Sequence, residues 1–382
     1  MIGQTALRDT TKSAILPLTS IRFFAAFYVV LYHTLTEIAR GKDDPNAVNG
    51  DFLGLGYISV SFFFVLSGFI LAQVYLSKRE AYSWRQFWVA RFARVYPLFV
   101  LTLLLDTPHW LLSGTRRIGV HAAIASTLKV LGTNLLLLQA WIVSLRGIDN
   151  PNWSLSVEAF FYLLFPILAT ALLRIRSSLM IWVFGGSYLL GMLLVADSSR
   201  WGFGVDSIKF SPLLHLHEFI EGICAAMIAL KLTVPQRNAL EKLSLPILSS
   251  SLLAFALFVI LSPKLVKLHL FVHDGLLSPL FIAVIIALSF GSSVIHRLLC
   301  GRYIVLLGET SYGLYLIHIP LWHLTKGISW GHSLAAYPAY LVMAIGLSVA
   351  SFLYIERPCR RFILKSFQER SVETLLGSSA MQ

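Results

Sequence analysis

Arg22 and His33 are ionisable residues within the first strongly apolar stretch of the chain, Ile21–Ile38. In an α-helix their spacing corresponds to about three turns, an angular offset of about 20° and a rise of roughly 16 Å. Both side chains would therefore project from one face of a membrane-length helix. Ionisable groups at membrane depth are costly and usually functional, so we predict that this pair carries chemistry. A neutral histidine accepts a proton from a hydroxyl near neutral pH, which makes His33 a candidate base. The alternative is a structural histidine bonded to a neighbouring helix.

An arginine pair follows the second apolar stretch. Arg91 and Arg94 are three residues apart, so on a helix both guanidinium groups point the same way. The segment Ser83-Trp84-Arg85-Gln86 before them has the pattern of a capping box, and we predict an interfacial helix there. Guanidinium forks bind phosphate oxygens in a bidentate manner. The pair therefore indicates a phosphate-bearing ligand, with lipid phosphate as the alternative partner.

Two further spans carry polar residues at helical spacing. Glu158 lies near the start of one span and has Tyr162 one turn later as a partner. The alternative is a carboxylate that is present only because the helix dipole stabilises negative charge at a helix start. Ser311, Tyr315, His318 and Trp322 form a stripe on one face of a late span. Such a stripe lines a cavity or a helix contact, and we predict mainly interhelical hydrogen bonds.

A histidine and glutamate cluster opens another span: His215, His217, Glu218 and Glu221. Histidine and glutamate one turn apart could bind a metal ion, but a site needs three or four ligands. The sequence offers no matching third-ligand motif, so we predict no metal and expect a polar cavity wall instead.

The composition defines the fold class. Of 382 residues, 57% are hydrophobic and 13% charged, whereas a soluble protein carries about a quarter charged residues. Apolar runs of membrane-crossing length recur along the whole chain, which predicts an all-α, polytopic transmembrane helical bundle. The formal net charge is +12. Since no soluble domain presents a basic face, we expect contact with membrane lipids and not with nucleic acid.

The distribution of basic residues predicts the topology. The Ser77–Tyr96 loop and the C-terminal segment are rich in arginine, which places both on the cytoplasmic side. We predict about ten spans and two cytoplasmic termini. Between Pro97 and Leu145 only one full crossing fits, so one segment there should be non-spanning or re-entrant, with Arg116 and Arg117 near the inner face or in a protein-lined cavity.

The predicted division of the chain has three parts. Residues 1–17 form a cytoplasmic N-terminal segment, residues 18–362 the transmembrane domain, and residues 363–382 a cytoplasmic tail that need not fold after Phe367. The predicted spans are Ile21–Ile38, Ile58–Leu76, Leu155–Leu173, Leu179–Ala196, Pro212–Leu230, Leu243–Leu261, Leu276–Ile295, Ile304–Leu324 and Ala335–Ile355, with one more between Pro97 and Leu145.

Five segments in order resemble the membrane-bound acyltransferase-3 family, which O-acylates carbohydrates and lipid-linked sugars. Each motif is weak alone, but together they cover residues 18–362 in register. The segments are Ile21-Arg22 through Tyr32-His33, Val60 to Phe69, Arg91 to Pro97, Trp153 to Glu158 with Phe161-Tyr162 and Pro166, and Ser311 to Pro320 with Glu356-Arg357-Pro358 after it.

The resemblance implies transfer of an acyl group, usually acetyl, from cytoplasmic acyl-CoA, with no metal. His33 matches the family's essential histidine, Arg22 its partner, and the arginine pair its cytoplasmic arginines. We accordingly predict the following roles: catalytic His33, Arg22 and Glu158; donor-binding Arg91 and Arg94; acceptor-binding Trp153, Tyr315 and His318.

The resemblance also implies a carbohydrate or lipid-linked glycan acceptor, such as exopolysaccharide or O-antigen, and a multi-pass protein of the inner (plasma) membrane. Many members carry an additional extracytoplasmic hydrolase-like domain. The sequence contains none, so we expect a separate partner for any second transfer step.

Two other classes of protein stay open from the residues. A secondary transporter also buries charged side chains, but it should show two matching halves or interrupted helices, and no repeat is found. A non-enzymatic scaffold would use Arg22 and His33 as structural residues. A structure without a cavity joining these two side chains would favour the scaffold.

Overall fold

The computed structural model describes residues 2–40, 52–77, 83–202, 204–262, 268–326 and 334–379. These residues form helices and no strand, which confirms the all-α prediction. The α-helices are α1 (Ile2–Arg40), α2 (Ile58–Leu76), α3 (Trp84–Ile118), α4 (Val120–Leu135), α5 (Trp153–Leu173), α6 (Met180–Ser198), α7 (Val205–Phe210), α8 (Leu216–Leu230), α9 (Val234–Leu261), α10 (His269–His273), α11 (Ser278–Phe290), α12 (Val294–Leu299), α13 (Arg302–Lys326), α14 (Tyr337–Ser351) and α15 (Arg357–Ser379).

Among these described residues, nine helical segments are long and apolar enough to cross a membrane. The predicted polytopic bundle is confirmed. The tenth expected span, Pro212–Leu230, corresponds to α8, which has only 15 residues, fewer than the roughly 20 that a bilayer crossing needs. The cytoplasmic placement of the termini stays a prediction.

The region between Pro97 and Leu145 differs from the expectation. Ser83 caps α3, and its hydroxyl accepts a hydrogen bond from the Gln86 amide at 3.5 Å. The separate interfacial helix is wrong, because α3 continues for 35 residues through two prolines. Membrane helices tolerate proline where neighbouring groups satisfy the freed carbonyls. Thus α3 is the crossing, and the 16-residue α4 is the shorter segment.

Arg116 and Arg117 lie at the far end of α3 from the arginine pair. Their side chains are exposed, and α3 separates them from Arg91 by about 37 Å at 1.5 Å per residue. The expectation that they share its side of the membrane, or line a protein cavity, is therefore wrong. The cause is the length of α3, which the prolines hid.

The C-terminal part of the chain is helical beyond the predicted tail boundary. A π-helical turn, Phe352–Glu356, joins α14 to α15, and α15 continues to Ser379. The segment after Phe367 contains no proline and several strong helix formers. Part of the predicted tail is therefore an extension of the last helix. Within the basic loop, residues 78–82 lie outside the described residues.

Helices α2 and α8 touch backbone to backbone at a glycine on each. A Cβ atom on Gly68 would lie 2.2 Å from the carbonyl oxygen of Phe219. A Cβ atom on Gly222 would lie 2.0 Å from the carbonyl oxygen of Val65. Both distances are far below van der Waals contact, so only glycine permits this crossing. Membrane helices associate through such close packing because lipid supplies no hydrophobic force between them.

The pair α1 and α13 is built in the same way. A Cβ atom on Gly308 would lie 2.0 Å from the carbonyl oxygen of Thr19. This contact fixes the helix that carries Arg22 and His33 against the helix that carries Tyr315 and His318. The two glycine crossings therefore set the distances between the predicted site residues.

Replacing either crossing glycine should destabilise the bundle. We expect Gly68→Ala and Gly222→Ala each to cost about 1–3 kcal/mol, the usual penalty of overpacking, and to lower the thermal unfolding midpoint in detergent. The control is Gly346→Ala, since a Cβ there meets nothing within 4 Å and alanine favours the helix. Equal midpoints for all three variants would contradict this account of the crossing.

Candidate active site

A cavity of about 110 Å³ lies between α1, α2, α3, α5 and α13. It brings together predicted residues that are far apart in sequence. The charged and polar lining residues are Arg22, Ser67, Arg91, Arg94, Ser154, Glu158, Tyr162, Ser311, Tyr312 and Tyr315. Apolar side chains of α2 complete the wall, among them Phe63 and Phe64. Three arginines facing one carboxylate make this cavity electropositive.

Glu158 is the carboxylate on the cavity wall. Its Oε1 accepts hydrogen bonds from the Tyr162 hydroxyl and from Ser67 Oγ at 3.5 Å. The predicted pairing one turn along α5 is therefore present. Arg22 lies within electrostatic range of Glu158 and Glu356, so two carboxylates balance this arginine at membrane depth.

The arginine pair lies on the α3 wall of the cavity. The Arg91 guanidinium carbon lies 5.8 Å from the Tyr75 ring centroid and 6.0 Å from that of Tyr162. Within the described part of the chain, the buried Arg91 Nε has no hydrogen-bond partner. Since buried polar groups normally find partners, this donor is available to a ligand. Arg94 completes the predicted fork.

His33 forms a pair with His318. His33 Nδ1 and His318 Nε2 are 3.1 Å apart, and His318 Nδ1 lies 2.6 Å from the Tyr315 carbonyl oxygen. A carbonyl only accepts, so His318 Nδ1 carries the proton and, in the neutral ring, its Nε2 accepts from His33 Nδ1. The neutral His33 ring therefore keeps Nε2 as its basic nitrogen.

Tyr315 separates the cavity from this histidine pair. Its side chain lines the cavity, and its ring centroid lies 5.9 Å from that of His318. Among the described residues that line the cavity, His33 is absent. The cavity therefore reaches Arg22 but not His33. Although Arg22 and His33 share one face of α1, Tyr315 and His318 of α13 lie between the cavity and His33.

The α13 stripe makes the interhelical hydrogen bonds that were predicted. The Tyr315 hydroxyl lies 2.7 Å from Ser154 Oγ and donates to the Pro151 carbonyl at 2.8 Å. Trp322 Nε1 donates to Glu37 Oε2 at 2.7 Å. Ser311 and Tyr315 also line the cavity, so the stripe serves both of the purposes considered.

Trp153 lies outside the cavity lining. It is 7% exposed, and its ring packs against Phe210 at 4.9 Å and His215 at 5.4 Å between centroids. Its predicted role in acceptor binding stays a prediction, and its contacts are those of a core residue.

A buried polar turn holds the start of α5. Asn152 Nδ2 donates to Asp149 Oδ2 at 2.7 Å, and the Asp149 amide donates to Asp106 Oδ2 at 3.2 Å. Burial and the neighbouring Asp106 carboxylate raise the pKa of Asp149 well above its usual range. This turn fixes Ser154 against Tyr315 and thereby helps to hold the end of the cavity.

The histidine and glutamate cluster lies away from the cavity. His217 Nδ1 pairs with Glu221 at 2.7 Å, and His215 Nδ1 with Glu218 at 3.1 Å. The structure adds His273 and Asp274, whose ligand atoms lie with those of His215 within 4.8 Å of one another. Both residues follow His215 by more than fifty positions, so no local sequence pattern joins them to it. Since His215 Nε2 already donates to the Lys209 carbonyl at 2.9 Å, the cluster also works as a hydrogen-bonded network.

A second group of side chains that could bind a metal ion lies beside the C-terminal half of α3. His323 Nδ1 pairs with Asp106 Oδ1 at 2.6 Å, and the rings of His323 and His109 stack with centroids 3.8 Å apart. These three residues offer ligand atoms within 4.8 Å. The residues are half-buried or exposed apart from Asp106, so water can satisfy them.

Two residues near the cavity belong to the segments that resemble the family but had no predicted role. Ser67 bonds Glu158, and Glu356 lies near both Arg22 and Arg94. The signal for Glu356 was a carboxylate at the end of the last span, directly before Arg357-Pro358. Ser67 lies within the Val60 to Phe69 segment, but a serine beside a glycine is common in membrane helices and does not by itself indicate a role.

Comparison with known proteins identifies the class. A family described as "Acyltransferase domain", the acyltransferase-3 family, matches residues 18–353. The chain belongs to this family and is a multi-pass membrane acyltransferase. The enzyme class therefore replaces the transporter and the scaffold considered as alternatives.

Among curated proteins, the chain is 27% identical to the acyltransferase MdmB of Streptomyces mycarofaciens, over 91% of this chain and 92% of MdmB. It is 25% identical to the peptidoglycan O-acetyltransferase OatA of Listeria monocytogenes, over 92% of this chain and 57% of OatA. It is also 25% identical to the putative peptidoglycan O-acetyltransferase YrhL of Bacillus subtilis, over 92% of this chain and 56% of YrhL. The chain thus spans little more than half of the latter two. No solved structure gives a significant match.

Proposed function

We propose that this enzyme transfers an acetyl group from cytoplasmic acetyl-CoA to a hydroxyl of a carbohydrate or lipid-linked glycan at the plasma membrane. The observation that carries the proposal is the electropositive cavity, which leads from Arg91 and Arg94 towards the His33–His318 pair. The O-acetyltransferase relatives support the reaction and a glycan acceptor.

The donor binds from the basic end of the bundle. Positive-inside distribution places Arg91 and Arg94 at the cytoplasmic face, where the free Arg91 Nε suits a phosphate oxygen of the donor. The neutral pantetheine arm then occupies the cavity beside Arg22. Since Arg22 is about 16 Å from His33 along α1, we assign Arg22 and Glu158 to holding this arm and not to the reacting carbonyl.

The transfer step takes place at His33. Its Nε2 removes the proton of the acceptor hydroxyl as that oxygen attacks the thioester carbonyl carbon. The carbon–sulfur bond then breaks, and the leaving thiolate takes the proton from the imidazolium. His318 positions the base by accepting from His33 Nδ1. The proton of the acceptor hydroxyl thus ends on the released thiol, and no further reactant is needed.

Donor binding must widen the cavity. Its volume of about 110 Å³ is smaller than the roughly 300–1,000 Å³ of typical ligand sites. Tyr315 lies between the cavity and His318, so we propose that its side chain moves aside when the thioester arrives. The acceptor approaches from the opposite end, where Glu37, His323 and Lys326 are partly exposed.

The first test is acetyl transfer itself. Membranes containing the wild type, His33→Ala or His121→Ala are incubated with radiolabelled acetyl-CoA and a glycan extract of the host. We expect His33→Ala to lose at least about 10²-fold in rate, the usual contribution of a general base. His121 is exposed on α4, so His121→Ala should match the wild type. Full activity of His33→Ala would remove this residue from the reaction.

The positioning role of His318 predicts a split between two substitutions. His318→Ala removes the acceptor for His33 Nδ1 and should lower kcat about tenfold, less than the roughly 10²–10⁴-fold of the base itself. His318→Gln should restore much of kcat, because its amide oxygen can accept the same hydrogen bond. The KM for acetyl-CoA should stay unchanged in both. If glutamine is no better than alanine, His318 acts only through packing.

The arginine pair predicts a change in donor affinity. Arg91→Ala should raise the KM for acetyl-CoA by about tenfold or more, since a hydrogen bond to a charged group contributes about 1.5–3 kcal/mol. The control is Arg297→Ala, which removes an exposed charge from α12, away from the cavity. An unchanged KM in Arg91→Ala would exclude the docking role.

A further inference from the structure

A second cavity, shallow and open to the surface, lies on one face of the first turns of α15. Its lining is Arg357, Arg360, Arg361 and Leu364, and the proposed transfer step uses none of them. Arg357 pairs with Glu309 at 3.0 Å. In the described ranges, Arg360 and Arg361 form no ion pair with a carboxylate. The guanidinium groups of Arg360 and Arg361 are therefore available to bind an anion.

This arginine cavity adjoins the active-site cavity. α15 packs against α3, and the Arg85 guanidinium carbon lies 5.0 Å from the Phe367 ring centroid. Arg360 is within electrostatic range of Arg91 and Arg94. Arginines of α3 and α15 are therefore close enough to interact electrostatically beside the active-site cavity.

Such a group of like charges is costly without a counter-ion. Like charges repel by about 1 kcal/mol at 4 Å even in water, and by more near a protein surface. A ligand that carries several phosphate charges removes this repulsion. Guanidinium groups bind phosphate in a bidentate manner, and Leu364 supplies an apolar contact beside them.

We infer that the cavity formed by Arg357, Arg360, Arg361 and Leu364 binds the nucleotide half of the acyl donor, with Arg360 and Arg361 on its 3′-phosphate. This inference rests on the proposed use of acetyl-CoA. The nucleotide half fits because it bears a diphosphate, which would reach Arg91 and Arg94, and a separate 3′-phosphate. A lipid headgroup with one phosphate would not require arginines of two neighbouring helices.

Binding of the 3′-phosphate by α15 would make the enzyme selective among acyl donors. An enzyme that holds the 3′-phosphate distinguishes free coenzyme A from the same molecule without that phosphate. It also disfavours acyl groups presented on a protein-bound phosphopantetheine, which lacks the nucleotide. The selectivity would reside in α15, outside the membrane-embedded reaction site.

Equilibrium binding tests this without knowledge of the acceptor. Purified protein in phosphatidylcholine nanodiscs is saturated with radiolabelled acetyl-CoA, and coenzyme A and 3′-dephospho-coenzyme A are used as competitors. For the wild type we expect dephospho-coenzyme A to compete about tenfold or more weakly, as loss of a charge-assisted contact requires. In Arg360→Gln and Arg361→Gln this ratio should fall towards one. Lys365→Gln removes an exposed charge from the same helix, outside the cavity lining, and should keep the wild-type ratio.

The outcomes separate the two proposals. Absence of saturable acetyl-CoA binding by the wild type would overturn the proposed donor and this inference together. Binding with equal competition by both competitors would overturn the inference alone, and it needs no variant to fold. A ratio that falls equally in Lys365→Gln would reduce the effect to net charge and overturn the specific site. Loss of only a phosphatidylglycerol-dependent stabilisation in the arginine variants, with the ratio unchanged, would assign the cavity to lipid headgroups and also overturn the inference.

Discussion

The contact of helix backbones at glycine is the constraint on which the site depends. In lipid, helices gain little from burying apolar surface against each other, so close packing must hold them. Gly68 and Gly222 bring α2 against α8, and Gly308 brings α13 against α1. Helices α1, α2 and α13 are three of the walls around the cavity. The Gly308 crossing determines how far Arg22 on α1 lies from Tyr315 on α13, and the α2–α8 crossing holds the α2 wall in place. Larger residues in place of these glycines would push the helices apart and so alter the cavity without changing any of the side chains that line it.

Charge balance is the second requirement of a site at membrane depth. Three arginines and Glu158 line one cavity, and Glu356 lies beside them. Removing one partner of such a set leaves the other charges uncompensated, which costs more than the pair contributes. This surplus of positive charge is the electrostatic basis for the proposed binding of an anionic donor.

Sequence reasoning succeeded where local geometry decides the outcome. Spacing along one helix placed Glu158 with Tyr162 and made the α13 stripe an interhelical surface, because helix periodicity alone fixes these relations. It also gave the helical membrane fold, which follows from hydrophobicity. The length of α3 was hidden, since Pro97 and Pro108 look like helix ends when neighbouring helices are unknown.

Contacts between helices were the part that one sequence could not supply. Arg22 lies in a cavity partly lined by α13, and His33 contacts His318 of the same helix. Their spacing predicts one shared face of α1, but only packing determines that α13 meets this face. Consequently the position of His318 beside His33, and of Tyr315 across the end of the cavity, emerged only in three dimensions. The same holds for Asp274, which joins His215 from a distant segment.

Helix α13 extends past both ends of the proposed reaction path. It carries Ser311 and Tyr315 on the proposed donor cavity, His318 beside the proposed base His33 and His323 near the opposite surface. If the proposed widening of the cavity moves the α13 backbone together with the Tyr315 side chain, His318 and His323 are displaced with it. Occupancy by the proposed donor and acceptor would then be thermodynamically linked, and each substrate would change the affinity for the other by the same factor. A linkage that raises both affinities would favour a ternary complex over hydrolysis of an acyl donor bound alone.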